Sequence, residues 1–132
     1  MVIKNCQNFH YINLYHAMKN ISIEKSGLDW LINKLQIEGW EVDRVHKKGY
    51  DLLLKNTTEV RYVEVKTTAK NNFTQRWLEE KEMDVFNEKK EKYFVYLITN
   101  ATDFPRLHIL NNVELLSRKK KSSIMQWFDL KI

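Results

Sequence analysis

Residues 49–68 read GYDLLLKNTTEVRYVEVKTT. Residues 50–54 are a short apolar run, residues 56–59 (NTTE) carry turn chemistry, and residues 60–66 form a second run rich in valine. The stretch reads as two strands joined by a hairpin turn. Side chains alternate faces along a strand, so Glu64 and Lys66 point one way while Val63 and Val65 point the other. Asp51 opens the first strand, which gathers two acids and one lysine at neighbouring strand ends.

Outward from the hairpin, the patterning predicts helices on either side. Phe9, Tyr11, Ile12, Leu14, Tyr15 and Met18 predict a short aromatic-rich helix. A second helix is expected to start at Ser22 or Ser26, to carry Leu28, Leu31, Ile32 and Leu35 at helical spacing, and to stop at Gly39. Residues 40–45 (WEVDRV) alternate as a strand, and Lys47, Lys48 and Gly49 supply a turn. Beyond the motif, residues 69–72 read as a polar loop, 73–78 as a short strand, and 79–90 as a charged helix with Met83 and Phe86 inward. Residues 93–99 (YFVYLIT) are apolar almost throughout, as in a strand buried on both faces. After Pro105, residues 106–110 suit a strand and 113–117 a helical turn; 118–121 are basic, and 124–130 fit either a strand or a helix. Helix, three strands, helix, strand, strand is the order of an α/β fold with a mixed sheet flanked by helices.

The 132 residues and 43% hydrophobic content are enough for one domain with a real core. A net charge of +5 and a pI near 9.2 make a polyanionic partner plausible. A single cysteine, Cys6, excludes an internal disulfide framework and a cysteine-built zinc site, and it fits a reducing, cytoplasmic setting. No run of about 18 apolar residues exists, and the N-terminal segment is broken by polar residues, unlike a signal peptide. No membrane partner is expected. His10, His16, His46 and His108 show no metal-binding spacing.

The acids and the lysine of the hairpin have a joint chemistry. Carboxylates hold a hard cation such as Mg²⁺ or Mn²⁺ through oxygen. A lysine beside them steers or helps deprotonate a water and offsets charge building on a phosphate. That set is what a metal-dependent phosphodiester hydrolase needs, whereas an acid-x-Lys tripeptide alone is a weak signal. Its placement after a hairpin and beside a strand carrying Asp51 is what strengthens it.

With Asp51 and the Glu64-Val65-Lys66 tripeptide in this order of elements, residues 22–110 resemble the PD-(D/E)XK nuclease superfamily, the restriction-endonuclease-like fold. Within it, VEVKTT, a polar loop, a charged helix around Glu82 and YFVYLIT follow the layout of the NO VEIN C-terminal-type domain more than that of the archaeal Holliday-junction resolvases. The resemblance implies an αβββαβ core and a single domain, with residues 1–21 as an N-terminal helical extension and 111–132 as a C-terminal basic one. It implies a metal-dependent nuclease acting on DNA, an endonuclease of a restriction, defence, repair or recombination system. Asp51 and Glu64 would be metal ligands, Val65 would lend its carbonyl, and Lys66 would orient the water. Glu24, on one face with Leu28, Leu31 and Leu35, would be the helix acid, with Asp29 competing and helix-start capping as the plainer reading. Tyr50 stands where the motif's proline would be, and no further DNA-recognition domain is seen, which favours a structure-selective or partner-directed enzyme.

The alternative is a non-catalytic nucleic-acid-binding or assembly module on the same fold. Lys47, Lys48, Arg61, Lys70, Gln75, Arg76 and the run Arg118, Lys119, Lys120 and Lys121 are candidates for contacts to the phosphates of duplex or branched DNA, or of RNA. Solvated surface is the bland reading of each. Trp77 is a candidate base contact. A homodimer, or membership of a larger complex, is a further expectation.

Overall fold

The structure is a computed structural model that describes residues 2–74, 76–77, 79–121 and 126–132, with side chains from residue 17 onward except at 76, 77 and 121. It opens with one continuous helix, α1 (Val2–Ile37), in place of the two helices expected. No proline interrupts the chain between Asn20 and Ser26. Ser26 does not cap; its hydroxyl donates to the carbonyl of Ala101 at 3.4 Å, across the fold. α1 ends where expected, at Gly39, whose φ of +95° suits glycine. There the amides of Glu38, Gly39 and Trp40 donate to the carbonyls of Lys34, Gln36 and Leu35.

The strands follow as β1 (Glu41–Arg44), β2 (Leu52–Lys55), β3 (Val60–Thr67) and the short β4 (Arg76–Trp77). Helix α2 (Glu80–Lys89) and one turn of 3₁₀ helix lead into β5 (Tyr93–Thr99) and β6 (Arg106–Leu110). Helix α3 (Asn112–Ser117), β7 (Lys119–Lys121) and β8 (Gln126–Asp129) complete the described elements. The main sheet has the order β1-β2-β3-β5-β6. β3 and β5 run parallel, as the α2 crossover requires, and every other neighbouring pair is antiparallel. The fold is mixed α/β. In a small second sheet, β4-β8-β7, residues 126–129 of the segment that fitted either a strand or a helix form a strand.

Both faces of the main sheet are covered. On one, Leu31 and Leu35 of α1 pack on Leu52, Leu54, Val63, Tyr96 and Ile98. On the other, Met83, Val85 and Phe86 of α2 pack with Tyr93, Val95, Leu97 and Leu110. Leu115, Phe128 and Leu130 join this second core, so residues 111–132 contribute buried side chains as well as basic ones. β5 feeds both cores by alternation, which explains its unbroken apolar sequence. On β3 the same alternation sends Val63 to the α1 side and Glu64 and Lys66 to the α2 side.

Two glycines fix how the layers meet. A Cβ on Gly27 would press into the side chain of Thr67, so its absence lets α1 lie directly on the end of β3. Gly49, at φ +82°, turns the chain from β1 to β2, and a Cβ there would run into the carbonyl of Lys81 on α2. The first contact sets α1, and with it Glu24, against the end of β3. The second sets the start of β2, and with it Asp51, against α2.

Candidate active site

Asp51 stands just before β2, between two backbone hydrogen bonds. Its amide donates to the carbonyl of Val63 at 2.8 Å, and its carbonyl accepts from the amide of Val45 at 2.9 Å. The pairing of β2 with β3 begins at Leu52 opposite Val63, so Val65 lies past the end of its neighbour. The side chain of Asp51 takes the missing strand's place: Oδ2 accepts from the amide of Val65 at 2.8 Å. The N–H and C=O of one strand residue point to the same side. The Val65 carbonyl is therefore directed to the same open flank of the sheet as Asp51.

Glu64, opposite Val95 on β5, is 6% exposed. Lys66 Nζ lies 3.3 Å from Glu64 Oε1 and 3.0 Å from Oε1 of Glu82, a residue of α2 that is 3% exposed. Glu24, Asp51, Glu64, Val65, Lys66, Glu79 and Glu82 line one cleft of about 390 Å³, floored by Leu28, Phe73 and Leu130. Among the described residues, five acids thus share the cleft with one lysine.

This arrangement is electrostatically loaded. Burial, a hydrogen bond with Glu82 and the nearby charge of Asp51 push the Glu64 carboxyl up to about 10, against the opposing pull of Lys66. Glu82 is also raised, first by burial. Two buried carboxylates cannot donate to each other, and in their ionised forms Glu82 Oε2 is left with no hydrogen-bond partner. A proton held on Glu64 lets it donate to Glu82. Burial alone would lower the Lys66 ammonium, but the carboxylates of Glu64 and Glu82 outweigh it and hold it above the ordinary lysine range. Lys66 is therefore a cation here, able to donate and to neutralise but not to act as a base.

Among the described residues, no three His, Cys, Asp or Glu side chains already surround one point as metal ligands do. The donor set still suits a hard cation in its chemistry. It offers the carboxylates of Asp51 and Glu64, a backbone carbonyl directed past the strand end, and a buried carboxylate oxygen on Glu82 without a partner.

The other residues singled out in the sequence sort clearly. Glu24 lies deep within α1, which excludes a helix-start capping role, and it borders the cleft. Asp29 is turned away and pairs with Arg44 at 3.0 Å on the exposed surface. Lys70, with Lys19, lines a second groove that shares Glu24, Thr67 and Phe73 with the cleft. Lys47 and Lys48 are exposed on the turn before Asp51, outside the cleft lining.

Arg61 is engaged on the opposite face of β3. It pairs with Glu59 at 2.7 Å, donates to the Tyr96 hydroxyl at 2.9 Å and lies over the rings of Trp40 and Phe94. Arg118 donates to the carbonyls of Asp129 and Lys131 and so fastens the C-terminal strand. Lys119 and Lys120 lie on β7, outside the cleft lining. Gln75 and the side chains of Arg76, Trp77 and Lys121 fall outside the described residues.

Glu79 and Glu82 are the site residues that the sequence motif did not supply. Glu82 precedes Phe86 by one helical turn and so shares the buried face of α2, a spacing that the neighbouring charges of the helix conceal in the sequence.

Among the described residues, no helix is long and apolar enough to cross a membrane. No curated protein sequence matches the chain. Residues 23–110, from the middle of α1 to the end of β6, match the family model described as Protein NO VEIN, C-terminal. The match takes in every residue of the acid cleft except Leu130, and the chain belongs to the NO VEIN C-terminal domain family.

Proposed function

We propose that the acid cleft is the catalytic site of a metal-dependent nuclease on a restriction-endonuclease-like, PD-(D/E)XK scaffold. The observation that carries this reading is the convergence of Asp51, Glu64 and Lys66, with Glu24, Glu79 and Glu82, in one cleft at the strand ends. Among the described residues five acids share the cleft with one lysine, and two of them, Glu64 and Glu82, are buried; as a purely structural arrangement this is unfavourable, because like charges repel most where water is excluded. The same arrangement is favourable around a divalent cation and a phosphodiester.

Asp51 and Glu64 would hold Mg²⁺ or Mn²⁺, with the Val65 carbonyl beside them. When bound, the cation supplies Lewis-acid stabilisation of charge on the phosphate and lowers the pKa of coordinated water. The chain's own residues do the rest. The bond from the Val65 amide fixes one oxygen of Asp51 and leaves the other for the cleft. Glu64 must give up its proton for the cation, so metal affinity rises with pH. Lys66 remains an ammonium and can orient a water or compensate a phosphate oxygen through its N–H donors. The cleft continues into the groove that holds Lys19 and Lys70, whose charges suit a nucleic-acid backbone without reading its bases.

A cleavage panel tests the reading. Plasmid, linear duplex, single-stranded DNA, a four-way junction and RNA are incubated with and without Mg²⁺ or Mn²⁺. Metal-dependent cutting is expected, reduced at least about a hundredfold in Asp51→Ala, Glu64→Ala and Lys66→Ala, each still folded. Equal cutting by those variants would place the activity elsewhere.

One observation favours the second reading, a nucleic-acid-binding or assembly module without hydrolysis: Lys66 is closed into pairs with Glu64 and Glu82. Salt-sensitive binding with no cleavage of any substrate would select it.

A further inference from the structure

Among the described residues, Glu82 carries the one buried side-chain polar atom without a hydrogen-bond partner. It sits on α2 between the apolar contacts of Met83, Val85 and Phe86 and is 3% exposed. One of its oxygens, Oε1, lies 3.0 Å from Lys66 Nζ. The other, Oε2, is buried with no hydrogen-bond partner. A half-satisfied buried carboxylate costs stability, and an apolar side chain of similar size there would pack at no such cost. Fold stability therefore does not account for a glutamate at this position.

Its geometry accounts for it. α2 crosses from β3 to β5 and carries Glu82 over the face of β3 on which Lys66 projects. Lys66 is a long side chain with several rotatable bonds, and its ammonium has to stay beside Glu64 to be of use there. We propose that Glu82 is the positioning residue of this site: from α2 it holds the Lys66 ammonium next to Glu64, at the acid end of the cleft. The inference rests on reading the cleft as catalytic, and it assigns to Glu82 an action through Lys66 rather than contact with the reacting phosphate.

The test uses the full chain with ¹⁵N-labelled lysine side chains and the variants Glu82→Gln and Glu82→Leu, with Lys66→Met to assign the signal. Lys66 in the unaltered protein should give a slowly exchanging ammonium signal. Glu82→Gln retains an acceptor and should keep a weakened signal, and Glu82→Leu should lose it. In metal-dependent cleavage, Glu82→Leu should lower kcat about ten- to a hundredfold at unchanged KM, with Glu82→Gln recovering part of the loss. The melting temperature of Glu82→Leu should stay level or rise, because a buried carboxylate oxygen without a partner is removed and the partly exposed Lys66 ammonium can turn to solvent. A purely structural glutamate would show the reverse: lower stability and unchanged kcat.

Persistence of the Lys66 signal in Glu82→Leu, or an unchanged kcat, overturns the proposal. Should Glu82→Leu not fold, Glu82→Gln decides: a signal that exchanges faster than in the unaltered protein supports the proposal, and one that exchanges equally slowly overturns it. Should the unaltered chain cut nothing, the ammonium signal still reports whether Glu82 holds Lys66, and the failure belongs to the nuclease reading alone.

Discussion

Arg61 and Lys66 stand five residues apart on the same strand, on opposite faces of the sheet, and they occupy opposite electrostatic situations. Arg61 has one acid, Glu59, a tyrosine hydroxyl and two aromatic rings, and its positive charge is matched. Lys66 has two acids within 3.3 Å and three more around the same cleft, so among the described residues its surroundings remain negative after it is counted. The difference teaches where the chain expects something from outside. Among the described residues the acid cleft gathers more carboxylates than cations, and on the proposed reading a divalent cation makes up the difference.

The largest test of the contrast is to remove each cation in turn. Lys66→Ala should lower metal-dependent cleavage at least about a hundredfold. Arg61→Ala should leave cleavage within about twofold while costing about 1–3 kcal/mol of stability, because the Tyr96 hydroxyl and the aromatic rings lose their partner. Stability is read by denaturant unfolding and activity by the same cleavage assay. Equal activity losses would erase the distinction between the faces.

A second test turns on pH. Glu64 is raised in the folded protein to about 10, against an unfolded value near 4.5. The folded state therefore binds the proton more tightly, and the sign follows: this stabilisation is full below pH 4.5 and is lost as pH rises toward 10. The metal-free protein should lose stability across that window, and Glu64→Gln, which carries no titrating proton, should flatten the dependence and be the more stable protein at pH 8. Added Mg²⁺ should restore the unaltered chain and leave Glu64→Gln unchanged. Melting curves from pH 5 to 9 check this, and parallel curves for the two proteins would contradict it.

The smallest expected effect concerns the seat of α1. Gly27→Ala would drive its Cβ into the Thr67 side chain, at a cost of about 1–3 kcal/mol. Thr67→Ser removes the crowding methyl and should return most of that loss in the double variant, measured by the same unfolding curves.

Much of the fold and half of the site were legible in the sequence, for identifiable reasons. The hairpin around residues 56–59 and the spacing of Glu64 and Lys66 follow from strand alternation, which needs only local sequence. β5 declared itself by being apolar on both faces, the mark of a central strand. The continuity of α1 was not legible, because Ser22 and Ser26 look like caps and only the tertiary contact of Ser26 with Ala101 shows otherwise. The small sheet was obscure because two- to four-residue strands carry too few side chains to display a period. Glu82 was hidden among the charges of EEKEMD: in a helix, only what packs against it distinguishes a buried glutamate from a solvated one. Arg61, a plausible phosphate contact by composition, was claimed by Tyr96, a residue 35 positions away.

The most direct measurement is a titration of Mn²⁺ into the ¹⁵N-labelled protein, following paramagnetic broadening of individual amide signals at neutral pH. Broadening should begin at Asp51, Glu64 and Val65, spread next to Lys66 and Glu82, and disappear in Glu64→Gln. Broadening centred on another surface, or a pattern that Glu64→Gln leaves intact, would contradict the assignment of the acid cleft as a cation-dependent site.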